Sequence, residues 1–228
     1  MRGSHDIIAG EPVHVGHERQ LLMDWHVVDD LNNCTRTVHR PVKHPDNPVI
    51  GAKESYESDG PSSWGSILRE EETGLFRVWT TVRHPEISRD QGKQPTGYCG
   101  HYYESDDGIN WRRPELGMFE FQGSKANNIF VKPSYQDNLF VLPLPPRMHD
   151  RGRYALLYFS MLQPHEIPDP EHMHHMTTRI AFSEDGIHWN DVPENPVWVG
   201  RTDTNNCIVY NPDRDVFMMY RRATINAG

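Results

Sequence analysis

Carboxylates, paired asparagines and a histidine-rich run are the side chains in this 228-residue chain whose types and spacing could do chemistry. Glu54, Glu57 and Asp59 lie in the run Glu54-Ser55-Tyr56-Glu57-Ser58-Asp59-Gly60, ahead of an apolar segment. Asp203 lies in Arg201-Thr202-Asp203-Thr204-Asn205-Asn206. Two carboxyl groups held in different surroundings acquire different pKa values, so one can donate a proton while the other accepts one. The pairs Asn127-Asn128 and Asn205-Asn206 carry amides that either hydrogen-bond a polar ligand or satisfy backbone groups where a strand begins. Arg201, Arg221 and Arg222 lie near Asp203 in sequence, and an inward arginine would hold a carboxylate or a hydroxyl group.

Residues 165–175 read His165-Glu166-Ile167-Pro168-Asp169-Pro170-Glu171-His172-Met173-His174-His175. Imidazoles at this density suit zinc. However, the ordered His-Glu-x-x-His arrangement needs a helix, which Pro168 and Pro170 forbid. The expectation is a solvated loop between two strands, with no metal and no cofactor assigned. His174 and His175 would then contact a ligand from the rim of a site. Cys34, Cys99 and Cys207 are odd in number and far apart, which fits neither a disulfide framework nor a zinc motif, so they read as small buried residues.

The elements that must position these groups are written in a repeat. Tyr103-Glu104-Ser105-Asp106-Asp107-Gly108-Ile109-Asn110-Trp111 returns as Ala181-Phe182-Ser183-Glu184-Asp185-Gly186-Ile187-His188-Trp189, and Asn127-Asn128 returns as Asn205-Asn206 at the same offset. Two landmarks at one spacing mark a repeated structural unit. In each block an alternating apolar run leads into Asp-Gly, whose glycine supplies the positive φ of a tight turn. Trp111 and Trp189 are large enough to fill gaps between sheets, with sugar stacking as their other reading.

Strands are expected at 65–69, 75–82 and 97–104, with a fourth around Trp111 and 118–121. They recur at 128–132, 153–160, 177–183 and 187–190, and a third unit opens at 206–210 and 216–221. The spacing predicts an all-β chain built as a β-propeller of four-stranded antiparallel blades. Its expected divisions are an extension over 1–50 and blades over 51–122, 123–200 and 201–228. About two and a half blades do not close a ring, so the expectation is a fragment of a longer protein, self-association, or closure by further blades. Laid along this frame, Asp203 has no acidic counterpart at Lys125 or Ala126, and a lone acid in a repeated frame is the stronger candidate for chemistry.

Composition narrows the partners. A formal net charge of −9 with no lysine- or arginine-rich run argues against nucleic acid. No segment reaches the length of a membrane-spanning helix, and residues 1–20 lack the apolar core of a signal peptide. A cytoplasmic chain is therefore expected, or an exported one whose signal has been removed. With 18 Pro and 17 Gly, turns are frequent and long helices are not expected.

The segment His44-Pro45-Asp46-Asn47-Pro48-Val49-Ile50, the strand Gly74-Leu75-Phe76-Arg77-Val78-Trp79 and the two Ser-x-Asp-Gly-x-x-Trp turns resemble the five-bladed propellers of the arabinanase, invertase and levansucrase clan of glycoside hydrolases. The likeness extends to bacterial relatives of that clan that begin with a Leu-x-x-Asp segment, here Leu21-Leu22-Met23-Asp24. It implies an oligosaccharide or polysaccharide substrate and three cavity carboxylates, one on each early blade. Carried over by position, Asp59 is favoured narrowly over Glu57 in the first blade, and Asp203 stands in the third, where the clan commonly has Glu. The second blade departs from the pattern, with Asn127 and Asn128 in place of an acid. Under this resemblance Asn127, Asn128, Asn205, Arg201, Arg221, His174 and His175 would contact sugar. The alternative is a non-catalytic propeller that binds glycan or protein.

Overall fold

A computed structural model describes residues 16–17, 19–23, 28, 30–84, 97–134, 136–161, 176–200 and 206–221. The chain divides into two compact units, Met1–His44 and Pro45–Gly228. In the first, the described residues form turns and extended chain without a helix or strand, and Arg36 donates to the Met23 carbonyl. Leu21, Leu22, Met23, Val38 and Val42 are exposed there. Among the described residues no helix is long and apolar enough to cross a membrane.

The second unit is all-β and antiparallel. One sheet holds β1 (Pro61–Arg69), β2 (Phe76–His84), β3 (Gly97–Ser105) and β4 (Ile129–Ser134), in that order. A second is ordered β5 (Gln136–Pro143), β6 (Tyr154–Met161), β7 (Met176–Ser183) and β8 (Asn190–Asp191), with β9 (Trp198–Val199) also on β7. A hairpin of β10 (Cys207–Asn211) and β11 (Val216–Tyr220) follows.

The repeat is visible in the hydrogen-bond register. Phe76 opposes Ser105 across β2 and β3, and Tyr154 opposes Ser183 across β6 and β7. Glu104 bridges Arg112, and Phe182 pairs with Asn190. Each residue of the second unit stands at the same offset from its counterpart as Asp185 does from Asp107. Strand alternation then sorts the side chains onto two faces. Leu139, Val141, Tyr154, Leu156, Tyr158 and Ala181 pack with Trp79, Tyr102 and Phe130 of the first sheet. From the other face, Leu142, Ala155 and Phe182 pack with Ile208 and Phe217 of the β10–β11 hairpin. The second sheet is thus buried on both sides, which is why β6 reads as an unbroken apolar run, Tyr154-Ala155-Leu156-Leu157-Tyr158-Phe159.

One strand differs from the sequence expectation. The run at 128–132, expected to open the second unit, pairs with β3 of the first sheet through Ile129 and Val131. The second sheet begins instead at β5, where no strand was expected. Residues 129–143 contain two successive apolar runs. The first can close onto β3 because Gly100 has no side chain: a Cβ there would lie 2.7–2.9 Å from Leu139, Val131 and Phe130. Likewise, 118–121 forms only an isolated bridge, Phe121 to Ser124, and not a full fourth strand.

The Ser-x-Asp-Gly turns are closed within themselves. Asp107 Oδ1 accepts from the amides of Ile109 and Asn110, and Asp185 Oδ1 accepts from those of Ile187 and His188. Ser105 Oγ and Ser183 Oγ accept from Gly108 N and Gly186 N. These donors hold Asp107 well below the usual carboxylate range. At Asp185 burial opposes the charge, but His188 and the turn amides outweigh it and lower the pKa as well. Trp111 donates to the Gly108 carbonyl and Trp189 packs against the main core, so both motif tryptophans serve the scaffold.

The two turns differ in what lies outside them. The second docks on the first sheet, where Trp79 Nε1 donates to the Gly186 carbonyl at 2.6 Å and Arg77 Nη2 donates to the Asp185 carbonyl. A Cβ at Gly186 would lie 2.8 Å from Arg77 Nη2 and 2.9 Å from Trp79 Cζ2, whereas one at Gly108 meets nothing nearer than Phe76 at 3.8 Å. Both glycines have positive φ, 75° and 76°, so alanine at either incurs roughly 1–2 kcal/mol of backbone strain. Gly186→Ala is expected to destabilise by at least about 1 kcal/mol more than Gly108→Ala, because it also displaces a packed contact. Urea denaturation of both variants checks this, and equal losses would mean that the second turn is not an inter-sheet clamp.

Candidate functional site

The face of the first sheet turned away from the second sheet is buried yet polar. Opposed residues in an antiparallel pair share a face, so Thr80 with His101 and Val82 with Cys99 lie together, and His84 and Tyr103 extend the same rows. Thr80, His84, Cys99, His101 and Tyr103 are all buried. Segments from before β1 and after β3 supply the cover. Tyr56 stacks on His101 at 6.0 Å between ring centroids, and Phe121 meets His84 edge-on at 4.7 Å.

Glu57 anchors this cover. It sits in a short 3-10 turn at Ser55–Glu57 and is fully buried. Its Oε1 accepts from Tyr103 Oη at 2.7 Å and Arg113 Nε at 2.7 Å. Its Oε2 accepts from the amides of Lys53 at 2.7 Å and Glu54 at 3.0 Å. Arg113 also donates to the Gly51 carbonyl. Burial opposes the charge on Glu57, but Arg113, the two amides and the Tyr103 hydroxyl outweigh it and hold the carboxyl below its ordinary range. A carboxylate with four donors already in place has no lone pair left for a substrate or a water, so its observed work is to fasten 51–57 onto the sheet. Burial and the neighbouring Glu57 charge push the Tyr103 hydroxyl up, and burial and Glu57 raise Tyr56 to about 12.

Asp59 is different. Its side chain is 52% exposed and lies 3.4 Å from Arg83 Nε, at the end of the sheet where β1 starts and β2 finishes. This acid keeps a carboxylate open to solvent.

Asn127 and Asn128 are buried and engaged by the scaffold. Asn127 Nδ2 donates to the carbonyls of Phe119 and Ser124, and its Oδ1 accepts from Ile129 N. Asn128 Nδ2 donates to the Tyr102 carbonyl at 2.7 Å, and its Oδ1 faces His101 Nδ1 at 3.0 Å. The structure thus gives both amides the strand-start role that stood beside the sugar-contact reading. Arg221 is exposed, with its guanidinium over the Trp198 ring at 4.1 Å. Asp203, Arg201, Asn205, His174 and His175 lie outside the described residues.

Three residues that the sequence does not visibly group come together on the polar face. His84, Cys99 and His101 are all buried, and their ligand atoms lie within 4.8 Å of one another. The available signal is Cys99-x-His101, an i, i+2 pair on one strand face. The third member, His84, ends the preceding strand, across a hairpin whose pairing the sequence does not state.

Comparison with family models, with curated proteins and with solved structures returned no match.

Proposed function

We propose that the chain forms successive blades of a β-propeller that acts on glycosidic bonds in an oligosaccharide or polysaccharide, with Asp59 as the carboxylate of the first blade and Asp203 as that of the third. Three features support the propeller: the pairing register that recurs at the offset of the sequence repeat, a second sheet packed on one face by the first and on the other by a third hairpin, and turns that lock each repeat to itself. The observation that carries the site assignment is the contrast between the two first-unit acids. Glu57 is saturated and buried, whereas Asp59 keeps an exposed carboxylate beside Arg83. Glycoside hydrolysis needs one carboxyl protonated toward the leaving group and one ionised for attack or for activating water. Asp59 lies 3.4 Å from Arg83 Nε with its carboxylate open to solvent, so water or a sugar hydroxyl can reach it, which suits the second role.

The test is turnover of an oligosaccharide panel by the full chain. Asp59→Asn and Asp203→Asn are each expected to lose about 10²–10⁴-fold, the usual contribution of a positioned acid or base. Wild-type turnover by Asp59→Asn would remove Asp59 from the reaction. The second reading is a non-catalytic propeller that binds glycan or protein. The commitment of Asn127 and Asn128 to the scaffold favours it, since the place where the resemblance expects a second-blade acid holds two amides already bonded to protein carbonyls. Calorimetric binding of a panel sugar without turnover would favour this second reading.

A further inference from the structure

We infer that His84, Cys99 and His101 form a zinc site that fastens β2 to β3 on the polar face of the first sheet. The inference is independent of the roles proposed for Asp59 and Asp203.

Strand register explains how the three ligands meet. His84 opposes Gly97, Val82 opposes Cys99 and Thr80 opposes His101, so the ligands occupy three successive same-face rungs, with the thiol between the two imidazoles. Gly97 carries no side chain on the His84 rung, so the imidazole can lean along the sheet toward His101. The two Nε2 atoms lie 3.4 Å apart, with the rings nearly parallel at 18°. In tetrahedral zinc, bond lengths of about 2.0–2.1 Å to nitrogen and 2.3 Å to sulfur place two nitrogens roughly 3.4 Å apart and nitrogen and sulfur roughly 3.6 Å apart. The observed pair of nitrogens has that separation already. The remaining spacings are at most 4.8 Å.

Proton placement fits as well. Asn128 Nδ2 donates to the Tyr102 carbonyl, which turns Oδ1 toward His101. His101 Nδ1 must then carry the proton and donate, leaving Nε2 with a lone pair facing His84. A ligating histidine held by an oxygen acceptor on its other nitrogen is the usual outer-shell arrangement of zinc centres. With the proton on Nδ1 and the lone pair on Nε2, His101 is the neutral imidazole that a ligand must be. Binding converts the Cys99 thiol to thiolate and releases one proton to solvent. One thiolate and two neutral imidazoles leave a net charge of +1 on the centre. Thiolate with imidazole selects a borderline-soft ion such as zinc over magnesium or calcium, which prefer oxygen. A fourth position remains for water.

The experiment is metal analysis of the full chain after zinc loading and removal of excess metal, paired with cobalt(II) titration of the metal-free chain. About one zinc per chain is expected, together with a thiolate-to-cobalt charge-transfer band in the near ultraviolet. Cys99→Ser should abolish that band, and His101→Gln should weaken zinc retention against a chelator by at least about 10-fold, the lower end of the effect of disturbing a zinc site. Replacing His172, His174 and His175 together by alanine should leave both the stoichiometry and the band unchanged. Wild-type protein that retains no zinc and shows no charge-transfer band would overturn the inference. So would zinc and the band persisting in Cys99→Ser, or disappearing when His172, His174 and His175 are replaced. Because the charge-transfer band is read on wild-type protein, a variant that fails to fold does not decide the outcome.

Discussion

Replacing Arg77 by methionine is expected to destabilise the folded chain by about 3–5 kcal/mol, because a buried guanidinium loses three hydrogen bonds together with its partly buried ion pair to Glu70. Arg77 is 7% exposed and joins the two sheets. Its Nε donates to Tyr102 Oη at 2.6 Å, one terminal nitrogen to Glu70 at 3.1 Å and the other to the Asp185 carbonyl on the second sheet's turn. The guanidinium lies over Trp79, Tyr102 and Tyr154, between 4.7 and 5.2 Å from their ring centroids. Tyr154 Oη in turn donates to Glu70 at 2.6 Å. Methionine would supply part of the packing volume but none of the donors: the Asp185 carbonyl would lose the Arg77 donor, Glu70 would keep only Tyr154, and the Tyr102 hydroxyl would keep only Glu104. Lysine should not rescue the loss, because a point charge cannot both stack and bond in three directions. In a chain of this size the loss corresponds to a fall in Tm of roughly 6–20 °C. Urea midpoints for Arg77→Met, Glu70→Gln and the double variant would show a coupling between the two positions. Additive losses, or a loss below about 1 kcal/mol for Arg77→Met, would mean that the cluster is not what holds the sheets together.

Glu57→Gln is expected to cost about 3 kcal/mol at neutral pH, because it leaves Arg113, itself 8% exposed, without its counter-charge. The pH dependence follows from the depressed carboxyl. Its folded-state pKa is below the ordinary value, so its contribution is complete above the unfolded value of about 4.3 and is lost as pH falls through the folded one. Wild type and Glu57→Gln should therefore differ most at pH 6–8 and converge in acid. Urea denaturation across that range measures the difference. Two parallel stability curves would show that the Glu57 charge plays no part. Glu57 is one of two candidates for the first-blade acid, and this behaviour would mark it as the buried anchor instead. A variant that kept wild-type stability while losing turnover would reverse that assignment.

Much of the architecture is legible in the sequence because it rests on local chemistry. The Ser-x-Asp-Gly turns can be read there since the serine hydroxyl, the aspartate and the glycine all act on near neighbours in the chain. The strands β2, β3, β6, β7, β10 and β11 fall where apolar runs bounded by turn signals place them. Alternation is not enough at 128–132, where two extended runs follow one another. Which run stays with the first sheet depends on a partner on another strand, Gly100 of β3, whose missing side chain admits it.

The candidate sites divide in the same way. The acids ahead of β1 stand out from residue type and from their place before a strand. Which of them is saturated depends on Tyr103 and Arg113, which approach Glu57 from 46 and 56 residues away. The sequence by itself determined that the chain is an all-β repeat with self-contained turns, because such turns draw only on neighbouring atoms. The tertiary structure alone decided that Glu57 is buried and fully bonded while Asp59 is open. It alone brought His84 onto the rungs beside Cys99 and His101, and it made Arg77 the link between sheets. Each of these depends on pairing across a hairpin or between sheets, and local residue patterns do not encode which distant side chain will lie opposite.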